Sequence, residues 1–373
     1  MRKQFAGFLA FCLIISTAGF GCSRGVPAPS PVPTSSTSSS STISTTSTSR
    51  SSTTASSTSS TASTTTTTIL HGAVWRQEVP AAAFSARESF TSVVFDASMW
   101  VIGGYVESIH GLTNDAWSSS NGANWTPAVM TPSFPPIQNA QSLVYDAGHG
   151  ARIWIIGGDN NDGVTNEIWS AGTGMIWTLA TPEAAFSPRI GFGAAELAGR
   201  MWVIGGQGSG FSLFNDSWSS SDGINWTQEK QHAAFSPRSY FSTVVFNDGG
   251  GDKMWVIGGI VSPAVTNDVW SSTNGSDWVR ATPEAAFSPR YSPISYVYDN
   301  KIWVVGGADE DDLSLNDVWY SSNGVNWFQA TTEAVVPQRE YGSGVVYDNK
   351  MWLMGGFDDG DGWQDLNDVW YSQ

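Results

Sequence analysis

Short apolar runs separated by Gly, Asn and Asp return along this chain at nearly regular intervals, and residues 296–327 show the unit plainly. Tyr296-Val297-Tyr298-Asp299 and Ile302-Trp303-Val304-Val305-Gly306-Gly307 flank Asn300-Lys301, which predicts two strands joined by a two-residue hairpin turn. After a variable loop comes a third run, Asn316-Asp317-Val318-Trp319-Tyr320-Ser321, then Asn323-Gly324 and a last strand around Trp327. Asn-Gly predicts a type I′ turn, whose two central residues both need positive φ. The same turn recurs as Asn121-Gly122, Asp222-Gly223 and Asn274-Gly275, with Thr173-Gly174 as a weaker version. Each unit is therefore expected to form four antiparallel strands, the content of one propeller blade.

Six such units follow one another. Their Gly pairs, Gly103-Gly104, Gly157-Gly158, Gly205-Gly206, Gly258-Gly259, Gly306-Gly307 and Gly355-Gly356, lie 54, 48, 53, 48 and 49 residues apart. A period near 50 predicts an all-β, six-bladed β-propeller over residues 71–373. Tryptophans mark three ranks. Strand two carries Trp100, Trp154, Trp202, Trp255, Trp303 and Trp352, and strand three carries Trp117, Trp169, Trp218, Trp270, Trp319 and Trp370. Strand four carries Trp125, Trp177, Trp226, Trp278 and Trp327, each eight residues after its strand-three partner. Indoles this large can fill the wedges between blades; platforms for stacking sugars are the other reading.

The sixth unit reaches Gln373 without a fourth strand, and the missing piece stands at the front of the domain. Trp75 precedes Arg87 by 12 residues, as Trp177 precedes Arg189, Trp226 precedes Arg238, Trp278 precedes Arg290 and Trp327 precedes Arg339. Residues 72–78 are therefore expected to complete the last blade and close the ring, leaving no open sheet edge.

Before the repeats the composition changes. Residues 1–21 read as a signal peptide: Arg2 and Lys3, an apolar run from Phe5 to Phe20, then Gly21-Cys22. Residues 22–70 read as a disordered tether, since 31 of the 35 residues from Thr34 to Thr68 are Ser or Thr and offer no apolar surface to bury. No Asp or Glu precedes residue 71 while four of the 17 Lys and Arg do, leaving 33 acids against 13 bases, a net charge of −20, in the repeats. That charge argues against nucleic acid or an anionic membrane face as partner. Cys12 and Cys22 are the two cysteines, so the repeats can hold no disulfide, thiolate metal site or cysteine nucleophile.

Two features recur with the blades. Asn-Asp or Asn-Glu opens strand three (Asp115, Glu167, Asp216, Asp268, Asp317, Asp368), and Arg stands before strand one in five blades (Arg87, Arg189, Arg238, Arg290, Arg339), with Ile137 in the remaining one. Equal numbers at fixed positions suggest Arg–carboxylate pairs that fix one strand to the next. What differs between blades is the loop after Gly-Gly. The last of these loops carries Asp358, Asp359, Asp361 and Asp365 among glycines, which reads as solvated acids or as a Ca²⁺ site, the one cofactor considered. Trp363 in that loop, outside the three ranks, is a candidate ligand contact.

The run Val304-Val305-Gly306-Gly307 with Tyr320 and Trp327 resembles the kelch repeat, found in propellers such as galactose oxidase; four blades depart from it with Ser118, Ser170, Ser219 and Ser271 in the Tyr position. In some propellers of that group, arginines at comparable loops line the channel mouth and bind carboxylates. The resemblance thus offers Arg87, Arg189, Arg238, Arg290 and Arg339 as ligand-binding residues. Copper redox chemistry of the galactose-oxidase type needs a cysteine that the repeats lack. The hairpin Ser219–Trp226 is similar to a sialidase Asp-box, but Asp222 stands four residues before Trp226 instead of five. Gly21-Cys22 resembles a bacterial lipobox, which implies lipidation at Cys22, with simple secretion as the alternative. Together these readings lead us to expect a non-enzymatic module of the bacterial cell envelope, lipid-anchored and surface-exposed, that binds a protein or glycan at one face of the propeller. The alternative is a glycan-active enzyme, sialidase-like or otherwise, with its site at the channel mouth.

Overall fold

The computed structural model describes residues 72–129, 132–331, 334–360 and 363–372. The expected signal peptide at 1–21, the tether at 22–70, Cys22 and His71 lie outside the described residues. Six antiparallel sheets surround one axis. Blade 1 comprises Thr91–Phe95, Ser98–Val106, Gly111–Ser119 and Thr126–Val129, and blades 2 to 5 repeat that order over residues 141–181, 193–230, 242–282 and 294–331. Blade 2 has a fifth, two-residue strand, Ile137–Gln138, where other blades have a single bridge. Blade 6 takes Ser343–Tyr347, Lys350–Asp358 and Gln364–Ser372, and its outer strand is Trp75–Val79, with Trp75 opposite Ser372 and Gln77 opposite Trp370. The ring closes through its front strand, as the tryptophan spacing predicts.

The core is six wedges rather than one centre. Each wedge joins two neighbouring blades, as where Trp303 and Tyr296 of blade 5 meet Trp75, Met351 and Trp370 of blade 6. Second- and fourth-strand tryptophans are buried throughout, which favours packing over sugar platforms for both ranks.

Two turns differ from the sequence reading. Asp299 (φ 49°) and Asn300 (φ 53°) form the hairpin turn of blade 5, one residue earlier than expected, and Lys301 opens the next strand. Asp and Asn tolerate the left-handed region better than Lys, and Lys301 Nζ instead reaches Asp299 Oδ2 at 2.7 Å. At Asn323-Gly324 only the glycine is left-handed (φ 69°). Asn323 shapes the turn through its side chain, Oδ1 accepting the N–H groups of Val325 and Asn326 at 3.0 and 2.9 Å.

The glycine is needed twice over. A Cβ on Gly324 would stand 2.0 Å from the Trp255 ring of the preceding blade, and Gly122, Gly174, Gly223 and Gly275 meet Trp352, Trp100, Trp154 and Trp202 in the same way. Every such turn is a socket for a neighbour's indole. Gly324→Ala is therefore expected to destabilise the domain by about 1–3 kcal/mol through overpacking and strain. An unchanged urea midpoint would show that the socket yields freely.

Candidate functional site

Five of the six inter-blade connections carry an arginine that is latched on both sides. The backbone of Arg290 is held by blade 4, its N–H donating to Thr266 O at 3.2 Å and its carbonyl accepting from Gly259 N–H at 2.9 Å. Its guanidinium enters blade 5, where Nη1 meets Gly306 O at 2.9 Å and Asp317 Oδ1 at 2.6 Å, and Nη2 meets Asp317 Oδ2 at 2.9 Å. Asp317 also accepts Trp319 Nε1 at 2.7 Å, so the third-strand tryptophans orient the carboxylates. Arg87, Arg189, Arg238 and Arg339 repeat this with Asp115, Asp216, Asp268 and Asp368 at 2.7, 2.8, 2.7 and 2.7 Å.

All five guanidiniums are buried and engaged within the chain, so the carboxylate-binding role that the kelch resemblance offers them finds no exposed donor here. The asparagine beside each carboxylate does the complementary work. Asn267 Nδ2 donates to Ala285 O and Phe287 O, both at 2.9 Å, holding the connection into the following blade. The repeated Ala-Ala-Phe-Ser-Pro-Arg segment was the legible sign of this clamp, and sequence reasoning passed over its phenylalanines. Phe287 packs edge-on against Trp327 at 5.1 Å.

Just past each latch the chain turns into the ring. Ser89, Asn139, Gly191, Tyr240, Ser292 and Tyr341 all have φ between 48° and 56°. Their backbones join hands around the axis: Ser89 N–H donates to Tyr341 O at 2.9 Å, Asn139 N–H to Ser89 O at 2.8 Å, and Ser292 N–H to Tyr240 O at 2.7 Å. Below this throat a cavity of about 270 Å³ is lined by all six inner strands. Hydroxyl pairs such as Ser92–Ser343, 2.6 Å apart, and Ser242–Ser295 link neighbouring strands along it.

The residue immediately after each latch position stands beside this throat, its backbone paired with the residue after the Gly pair, and here the blades diverge: Glu88, Gln138, Ile190, Ser239, Tyr291 and Glu340. Two are Glu and the other four all differ, so they give no repeat signal and sequence reasoning missed them. Three tyrosines crowd one side, Tyr341 lying 5.7 Å from Tyr240 and 6.1 Å from Tyr291 between ring centres. Burial, with the carboxylates nearby, drives all three phenols above their ordinary range. Burial likewise pushes the Glu340 carboxyl from 4.5 up to about 8, a rise to which Glu88, Asp359 and Asp312 add by repulsion.

A carboxyl whose folded pKa lies above its unfolded one contributes most to stability below about pH 4.5 and progressively less up to pH 8. Glu340→Gln should therefore raise the melting temperature at pH 8.5 and leave it nearly unchanged at pH 4. Equal shifts at both pH values would refute the assignment.

The loops after the Gly pairs surround this mouth. Trp363, at φ 52° and 67% exposed, stands edge-on to Phe357 at 5.9 Å, so the candidate ligand contact is accessible. The described acids of this loop reach separate partners. Asp358 accepts Gly360 N–H at 2.8 Å, Asp359 accepts Ser314 N–H of the blade 5 loop at 3.1 Å, and Asp365 accepts Glu107 N–H of the blade 1 loop at 2.8 Å. Asp361 lies outside the described residues. Among the described residues no three acids, histidines or cysteines are grouped to hold a metal ion.

The KLHDC2/KLHL20/DRC7 Kelch-repeats domain family matches residues 89–272 and 250–373. No curated protein matches the chain. Among solved structures the fold is similar to that titled "Structure of YjhT", with TM-score 0.62, 16% sequence identity, and coverage of 78% of this chain and 96% of that one. With its Gly-Gly repeats, latched blades and closed ring, this chain belongs to the kelch-repeat β-propeller family.

Proposed function

We propose that the propeller is a non-catalytic binding module that takes a protein or glycan ligand on the face bearing the channel mouth. Kelch propellers commonly bind protein partners. The observation that carries the reading here is how the blades divide their residues. The latch arginines and the tryptophans of the second and fourth strands are buried wherever they recur, while the residue after each latch and the loop after each Gly pair differ from blade to blade. Those loops expose Ile109, Phe211, Leu313 and Trp363 around an acidic, tyrosine-lined opening, the apolar-and-polar mixture of a recognition surface. On this reading Cys22 is a lipid anchor and residues 22–70 hold the module off the bacterial surface; release as a secreted protein is the alternative. Trp363→Ala is expected to abolish saturable binding to the ligand found by a glycan array and an envelope-protein screen, with the melting temperature unchanged. Retained affinity would exclude this rim as the contact.

A second reading, a glycan-active enzyme, has one observation in its favour. Glu340 holds its proton near neutral pH beside Tyr291, as a general acid must. An anionic sugar would nevertheless meet carboxylates at this mouth, since the five latch arginines face inward. Turnover in a hydrolase screen, abolished by Glu340→Gln, would establish the enzyme and displace the module.

A further inference from the structure

Where blades 5 and 6 meet at the mouth, two buried polar atoms have no partner among the described residues. Glu340 is 6% exposed and its Oε2 accepts no hydrogen bond; Ser314 is 5% exposed and its Oγ makes none. Around them Tyr291 Oη donates to Asp312 Oδ1 at 3.0 Å, and Asp359 Oδ1 accepts Ser314 N–H and Gln338 Nε2, each at 3.1 Å. Among the described residues none of Glu340, Asp312 and Asp359 has an ion-pair partner, because the nearby Arg339 turns away to Asp368. Buried groups with unfilled hydrogen bonds are costly to leave so, and a native fold that keeps them has something else to satisfy them.

We propose that this corner is a recognition pocket for a protonated primary amine of the ligand, bonded directly by Glu340 Oε2 and Ser314 Oγ, with Asp312 and Asp359 supplying the surrounding negative potential. The inference rests on the binding-module reading and names the chemistry it recognises. An ammonium group brings three donors and no acceptor, which suits a pocket whose free atoms can accept. A net charge of −20 in the repeats draws cations toward the mouth. Exposed Leu313, beside Asp312, can support the apolar stem of such a group.

Glu340 is faced by Glu88, Asp312 and Asp359 and by the phenols of Tyr240, Tyr291 and Tyr341. It is protonated in the empty pocket below about pH 8. Binding must then release that proton to solvent as the ammonium takes its place against the carboxylate. For an amine that stays protonated over this range, such as a lysine side chain, affinity therefore rises with pH up to about 8.

Titration calorimetry of the whole chain would test this with four probes: a tri-lysine peptide, a glucosamine trimer, and the N-acetylated form of each. At least one amine is expected to bind, its acetylated form at least about tenfold more weakly; for the peptide, whose lysine ammonium groups stay charged throughout, binding releases a proton and tightens from pH 6 to 8. Which amine binds separates a peptide source from an amino-sugar source. Glu340→Gln should weaken it by roughly tenfold to a hundredfold and remove the pH dependence. Ser314→Ala, a second variant, should weaken it several-fold. Binding of neither amine, equal binding of acetylated forms, or unchanged affinity in both variants would overturn the pocket. A Trp363-dependent ligand indifferent to amine blocking would overturn it while leaving the module intact, whereas amine binding indifferent to Trp363→Ala would remove that rim alone.

Discussion

Deleting residues 71–79 should abolish cooperative folding of the propeller. Without Trp75–Val79, the strand Gln364–Ser372 becomes an open edge, and the wedge that Trp75 shares with Tyr296, Trp303, Val336 and Trp370 opens to water. Trp75→Ala alone, at a position 4% exposed, is expected to cost about 3–5 kcal/mol. The deletion adds loss of the strand's ladder and of the contact between Gly72 and the Trp303 ring. Domain stabilities are about 5–15 kcal/mol, so the combined loss approaches the whole. Thermal and urea unfolding of the deletion would check this: an unchanged melting temperature would mean that the ring is closed by something else.

Breaking a latch should be nearly as damaging. Arg290→Ala leaves Asp317 in a buried site with Trp319 Nε1 as its remaining side-chain donor, and removing one member of such a pair costs about 3–5 kcal/mol. Arg290→Ala combined with Asp317→Ala should recover part of that loss, because no charge is then stranded. Blade 2 shows the position without its arginine: Ile137 occupies it, 2% exposed among apolar neighbours, and the partly exposed Glu167 carboxylate accepts Trp169 Nε1 at 3.0 Å. The fold therefore tolerates an apolar residue at this position where the facing carboxylate, Glu167, keeps access to water. A loss below about 1 kcal/mol for Arg290→Ala would place the pair with exposed salt bridges instead.

Acid should act on the same latches. Burial pushes the Asp115 and Asp268 carboxyls up, yet the hydrogen bonds and charge of Arg87 and Arg238 outweigh it and hold both below their ordinary values. Their contribution is thus full above about pH 4 and is lost as pH falls through the folded values.

Much of this molecule could be read before any coordinates. Six Gly pairs near a 50-residue period, three tryptophan ranks and the 12-residue interval from Trp75 to Arg87 determined the blade count, the strand order and the closing strand. They could do so because each blade repeats the same local physics: strand alternation, turn chemistry and an indole that must be buried. Asn323-Gly324 shows the limit of that reading. The turn's position was legible, but its glycine is required by the Trp255 ring of another blade, a contact about 70 residues away in sequence that local turn rules cannot contain.

The site escaped for a related reason. Repetition identifies what every blade needs, and the arginines that the kelch resemblance offered as ligand-binding residues are buried latches. Glu88, Tyr291 and Glu340 share a position but follow no repeat pattern, so only closure of the ring brings them together, and the burial and neighbouring carboxylates that closure imposes raise the Glu340 carboxyl. Asp358, Asp359 and Asp365 look like one cluster in sequence, but Asp359 and Asp365 hydrogen-bond to the loops of different neighbouring blades. Sequence by itself determined the ring, because the ring is a sum of equal local units. Tertiary structure alone decided what stands at its mouth, because that depends on how unequal residues from separate blades are turned toward one axis.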